Sequence, residues 1–193
     1  GHPLDGFTRE LAWFTDATTA SIAESGNKKK VSLAGIPIKH LPKTTRKGDK
    51  MAIITLEDLQ GSVEVILWPE IYSKVQELLL KEEPLLVKGE VDAEGSLPKV
   101  IASELFPLAQ ANQHFQGKVM IHFRTLGLER KTLLAVKEIL AFHKGNIDTR
   151  LHFIFPNDKE RVVTVADELR IKPSDEVLSQ IEALLGEGAI LFE

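Results

Sequence analysis

A small β barrel followed by an α+β domain is the fold class this sequence predicts, and three observations predict it. Five short apolar runs rich in β-branched residues fall between residues 31 and 108, with one helical segment between the third and fourth. A polar stretch, 109–116, then interrupts the pattern. Beyond it, strand-like and helix-like segments alternate in the order β-α-β-β-α-β.

The elements follow in order. Residues 1–30 read as a helical lead-in and linker. Leu4, Phe7, Leu11 and Phe14 recur near helical spacing, and "ESGNKKK" ends the segment as a turn. The first strand, 31–41, is long and bent, because Gly35 and Pro37 favour a bulge or an edge. Residues 50–58 and 61–68 alternate as a hairpin around Asp58-Leu59-Gln60-Gly61. Residues 69–83 form a helix, with Pro69 in its first turn and Ile71, Val75, Leu78 and Leu79 on one face. Strands at 84–94 and 97–108 complete the set, and Gly89 marks a site of sharp curvature. This β-β-β-α-β-β order is that of the OB-fold, a five-stranded barrel whose 1–2 and 4–5 loops flank the ligand groove.

The second domain, 117–193, starts with a strand at 118–125. An amphipathic helix at 128–145 carries Leu133, Val136 and Leu140 on one side and stops at Gly145. A hairpin joins 146–156 to 161–167. A helix at 172–188 is capped by Ser174, and a final strand covers 189–192. The order fits a ferredoxin-like, split βαβ sheet or a related mixed sheet.

Charge is segregated. From Lys28 to Lys50 there are eight basic residues and one acid, a net of +7; with −4 for the whole chain, the remainder carries −11. The 1–2 loop, Pro42–Asp49, lies within the basic stretch, where an OB-fold grips a nucleic-acid backbone. Lys39, Lys43, Arg46, Lys47 and Lys50 are the candidate binding residues, against the bland alternative of a solvated loop. Aromatic residues are only 6% of the chain. Trp68 and Tyr72 sit where the third strand passes into the helix and read as core or barrel-bottom packing. Phosphate contact is therefore favoured over base stacking, which implies weak, sequence-tolerant binding.

No catalytic constellation, cofactor motif or metal-ligand spacing is present. The six histidines form no i, i+4 pair or HExxH and read as surface or packing residues, and there is no phosphate-binding glycine loop. Glu57 and Asp58, adjacent on a strand, point to opposite faces and read as turn initiation. The absence of cysteine excludes disulfides and thiolate chemistry, and no run reaches the length of a membrane span. The first residues lack a secretory signal pattern and start on Gly1, as in a processed or excised fragment. A cytoplasmic location is expected. "SELF" (103–106) and "AILFE" (189–193) read as buried strand rather than clamp-binding peptides.

"GHPLD" at 1–5, "RKGDKMAIITLEDLQGSVEVILWPEIYSKVQELL" at 46–79, "PLLVKGEV" at 84–91 and "KPSDEVLSQIEALLGEGAILF" at 172–192 together resemble the C-terminal region of the bacterial DNA polymerase III alpha subunit family. The resemblance spans essentially the whole chain. It implies a non-catalytic fragment of a DNA-directed DNA polymerase, since the palm carboxylates and PHP domain of that family lie far upstream. It further implies an OB-fold near single-stranded template and a tail domain that in some lineages contacts the tau subunit of the clamp loader. A sliding-clamp contact is not implied, because the family's internal clamp-binding peptide precedes GHPLD. Two alternatives remain open: an anticodon-type, RNA-binding OB-fold, whose hairpin motif is similar, and an interaction scaffold without nucleic-acid binding.

Overall fold

Alternation decides the first unit. The computed structural model describes residues 1–193. β1 (Lys30–Thr44), β2 (Lys50–Glu57), β3 (Ser62–Leu67), β4 (Leu85–Asp92) and β5 (Lys99–Pro107) close into a barrel in the order β1-β2-β3-β5-β4. Every pairing is antiparallel except β3 with β5. Period-2 alternation sends Leu33, Ala52, Ile54, Leu56, Val65, Leu67, Val87 and Val100 into one core, each fully buried. Burial of such an aliphatic side chain contributes about 1.5–3 kcal/mol.

Two glycines let the wall curve. A Cβ on Gly35 would lie 2.6 Å from the Glu57 carbonyl oxygen, and one on Gly89 would lie 2.3 Å from that of Ile101. Register shifts fall close by, between Pro37 and Lys39 and between Lys88 and Gly89. The helix between β3 and β4 is shorter than its pattern predicts. α3 spans Pro69–Val75, a 3-10 turn follows at Leu78–Leu80, and Glu82 takes φ +51.

The lead-in is built into this unit. A 3-10 turn at Asp5–Phe7 runs into α1 (Thr8–Phe14), and α2 (Thr19–Ile22) follows. Leu4 is buried with Ala34, Leu86, Phe106 and Leu108 in a second cluster, against which Phe7, Leu11 and Phe14 pack. Ile22 joins the barrel core itself. Thr18 and Ser21 form a reciprocal capping box. Asp58 ties the hairpin turn to α2: its carboxylate accepts from Thr19 N (2.8 Å), Thr19 Oγ1 (2.6 Å), Gln60 N (2.8 Å) and Gly61 N (3.1 Å).

The two compact units are Gly1–Ala111 and Asn112–Glu193. The second has β6 (Lys118–Arg124), α4 (Arg130–Phe142), β7 (Lys144–Ile154), β8 (Glu160–Thr164), α5 (Asp175–Leu185) and β9 (Ile190–Phe192), with sheet order β8-β7-β6-β9. It is a mixed sheet, and the arrangement is not the split one. β7 lies directly beside β6 in parallel, with β8 at the edge rather than between them. The five residues of β8, Glu160 to Thr164, are all exposed, and its Glu160-Arg161 start suits an edge better than a centre.

Val119, Ile121 and Phe123 alternate into the core of this unit, which α5 supplies with Val177, Leu178 and Ile181. Ser174 caps α5 by accepting from Val177 N (3.2 Å). Gly145 does not stop α4, which ends at Phe142. It lies in β7, where a Cβ would come within 2.3 Å of the Lys172 nitrogen. No helix of the chain is long and apolar enough to cross a membrane.

Candidate nucleic-acid interface

β1 changes partner along its length. Lys30–Gly35 pairs with β4, and Ile36–Thr44 pairs with β2, so one 15-residue strand serves both edges of the wall. Its last rungs, Lys43 with Met51 and Thr44 with Lys50, lie beyond the final β2–β3 rung, Ala52 with Leu67. Pro42–Thr44 therefore belong to the strand, and the loop proper is the five residues Thr45–Asp49. That loop is closed by Thr45 N to Asp49 O (2.8 Å), Gly48 N to Thr45 O (3.0 Å) and Asp49 N to Thr45 Oγ1 (3.1 Å). Gly48 supplies the left-handed residue, φ +91.

Lys39, Lys43, Arg46, Lys47 and Lys50 are all exposed, and none forms an ion pair within the chain. The pleat divides them. Lys39, Leu41 and Lys43 share a face, with about 13 Å between the two lysine Cα atoms at the strand rise. That face continues across the rungs to Thr55, Ile53 and Met51 on β2, then to Glu64 and Ile66 on β3. Lys50 projects from the opposite face, as Thr44 does. Arg46 and Lys47 occupy the tip.

Trp68 was missed as a surface group. It follows β3 in extended backbone (φ −63°, ψ 161°) two residues beyond Ile66, and it is 46% exposed. Core packing fails for Trp68 because alternation puts Leu67 inside and Trp68 outside. Tyr72 is buried on α3, as its apolar spacing predicts, with its hydroxyl 3.2 Å from His40 Nε2. Leu41, also 46% exposed, lies between Lys39 and Lys43 on that face, with Ile53 and Ile66 across the rungs as an apolar strip. A strip of this kind can stack or cover bases while lysines meet phosphates. The signal for Trp68 in the sequence was its parity within "SVEVILW".

The β4–β5 side is a poorer anion site. Lys88 is paired with Glu104 (3.8 Å) and Lys99 with Glu64 (3.1 Å). A cleft of about 540 Å³ there mixes Lys30 and Lys88 with Asp16 and Glu90.

Barrel closure and strand order define the class: an OB-fold. Residues 31–108 match the family described as OB-fold nucleic acid binding domain, the tRNA anti-codon family. The whole chain matches the C-terminal OB-fold region of DNA polymerase III alpha subunits. It is 28% identical over 197 residues to the Vibrio cholerae subunit and 26% identical over 198 residues to that of Escherichia coli, covering 100% of this chain in each case. The Mycobacterium tuberculosis subunit is 27% identical over 194 residues, covering 98% of this chain. The chain spans 17% of the length of the first two relatives and 16% of the third. Among solved structures, a domain of replication protein A from Methanococcus maripaludis is similar at 17% identity and a TM-score of 0.36, covering 44% of this chain and 86% of that one.

Proposed function

We propose that this chain is a non-catalytic part of a replicative DNA polymerase alpha subunit, and that its OB-fold holds single-stranded template DNA weakly and without sequence preference. The observation that carries this reading is the set of five unpaired cations on the β1–β2 arm, of which Lys39 and Lys43 share the outer face that the exposed Trp68 continues, on a chain that is otherwise acidic. Cations at an arm tip contact phosphates and leave base edges unread, so sequence preference is small. Such a part would act in the cytoplasm with the rest of its replicase.

A salt-dependent anisotropy titration with a labelled single-stranded oligonucleotide tests it. Two to four phosphate contacts give a slope of about −1.5 to −3 in log K against log salt. Absence of binding at low salt overturns the reading and leaves an interaction scaffold. Competition with tRNA separates DNA from RNA: tRNA that displaces the oligonucleotide at much lower concentration than unlabelled DNA would favour the anticodon-type alternative, which the matched family's name supports.

The tail unit, by the same reading, docks a replisome protein such as the clamp-loader tau subunit. Supporting this is a groove lined by Ala135, Glu138, Ile139, Phe142 and Leu184, with Phe142 80% exposed, between α4 and an α5 that carries Asp175, Glu176 and Glu182 and no basic residue. A nucleic acid would be repelled there and a protein face would not. Deleting residues 117–193 should abolish tau capture while DNA affinity stays within a few-fold. Tau binding by the truncated chain would refute this docking site.

A further inference from the structure

We propose that His122, His152 and Glu160 form a binding site for a divalent transition ion of the zinc class, separate from the nucleic-acid interface and independent of it. Strand register brings the three together. β6 and β7 run parallel with His122 directly opposite His152, so both imidazoles leave the same face of the sheet, with ring centroids 5.0 Å apart. On the other side of β7, His152 is opposite Val162. Glu160, two residues before Val162, therefore lies on that face and reaches His152 diagonally. One ligand atom from each of the three lies within 4.8 Å of the others.

The donor set has the right chemistry. Two imidazoles and one carboxylate are a ligand combination that zinc accepts, with a water completing four-coordination. Bonds of about 2.0–2.2 Å put tetrahedral ligand atoms about 3.3 Å apart. Glu160 Oε1 already lies 2.5 Å from His152 Nδ1, while His152 Nε2 is buried with no hydrogen-bond partner. Of the cations on this face, Arg150 is held by Asp148 (2.9 Å) and Lys118 by Glu193 (2.8 Å), while Arg124, one row beyond His122, forms no ion pair.

The experiment is calorimetric titration of the full chain with Zn²⁺, with Co²⁺ as a second probe whose visible d–d absorption reports four-coordination. The expected result is one ion per chain and a Zn²⁺-dependent rise in Tm. Both are lost in the His122→Gln/His152→Gln double variant, while Glu160→Gln weakens affinity about tenfold or more. The proposal is overturned if the parent chain binds no Zn²⁺. It is equally overturned if the double variant binds as the parent does, since His2, His40, His114 and His143 would then be the source. Should the double variant lose its circular dichroism, Glu160→Gln alone decides. It alters an exposed edge residue, and unchanged affinity in it refutes the site.

Discussion

Replacing Trp68 by Ala separates stacking from charge. The indole is 46% exposed, so roughly half of it is free to meet a base without any rearrangement of the barrel. Stacking of one base on an aromatic side chain contributes about 1–3 kcal/mol. At 1.36 kcal/mol per factor of ten, removing it should weaken single-strand binding about 5- to 150-fold. The salt slope should not move, because no phosphate contact is lost. Replacing Lys43 by Ala should do the reverse, flattening the slope by about 0.7 with a smaller loss of affinity at high salt. Anisotropy titrations at four salt concentrations read both quantities, and circular dichroism checks that the barrel is intact. Tryptophan quenching on binding should also fall in Trp68→Ala, leaving only the signal of Trp13. If Trp68→Ala binds within twofold of the parent with the same quenching, the indole does not meet the strand. The outer face of β1–β3 would then not be the groove.

Arg46→Ala/Lys47→Ala should flatten the salt slope by about 1.4 and leave the melting temperature unchanged, since exposed loop charges contribute little to folding. Equal binding would make the tip a solvated loop. Gly89→Ala should destabilise the first unit by about 1–3 kcal/mol in a urea titration, because its Cβ meets the Ile101 backbone at 2.3 Å rather than a side chain that could swing away. Asp58→Ala should cost about 2 kcal/mol, since four donors, two of them on Thr19 at the start of α2, lose their acceptor. Protease nicking near residues 15–25 should rise with it, and an unchanged cleavage pattern would refute the tie. The Glu193 side chain, hydrogen-bonded to Lys118, should titrate below an ordinary glutamate in an NMR experiment and return upward in Lys118→Ala. A depressed carboxylate pKa stabilises above its unfolded value, and that contribution fades as pH falls through the folded one.

Much of the fold was legible because it rests on local rules. Period-2 alternation in β2 and β3 marks which residues face the core before any partner is known, and Asp58-Leu59-Gln60-Gly61 specifies its own turn. Ser174 announces α5. The basic stretch from Lys28 to Lys50 was visible as composition alone, and so was its coincidence with the loop between the first two strands. What the tertiary structure decided was pairing. The β1–β2 rungs carried Lys43 into a strand rather than a loop, and the pleat set Lys39 and Lys43 on one face and Lys50 on the other. Parity, readable in "SVEVILW", placed Trp68 outside while Tyr72 is buried on α3, a distinction that residue type alone could not make because both are aromatic. The choice between a split and an unsplit sheet depended on which edge of β7 met β6, a contact between residues 30 apart. His122, His152 and Glu160 show no ligand spacing along the chain. They come together only because parallel register sets 122 against 152 and a hairpin folds 160 back beside them. Hydrophobic periodicity reports the face a residue occupies, whereas register, set by long-range backbone pairing, determines which residues share a place on it.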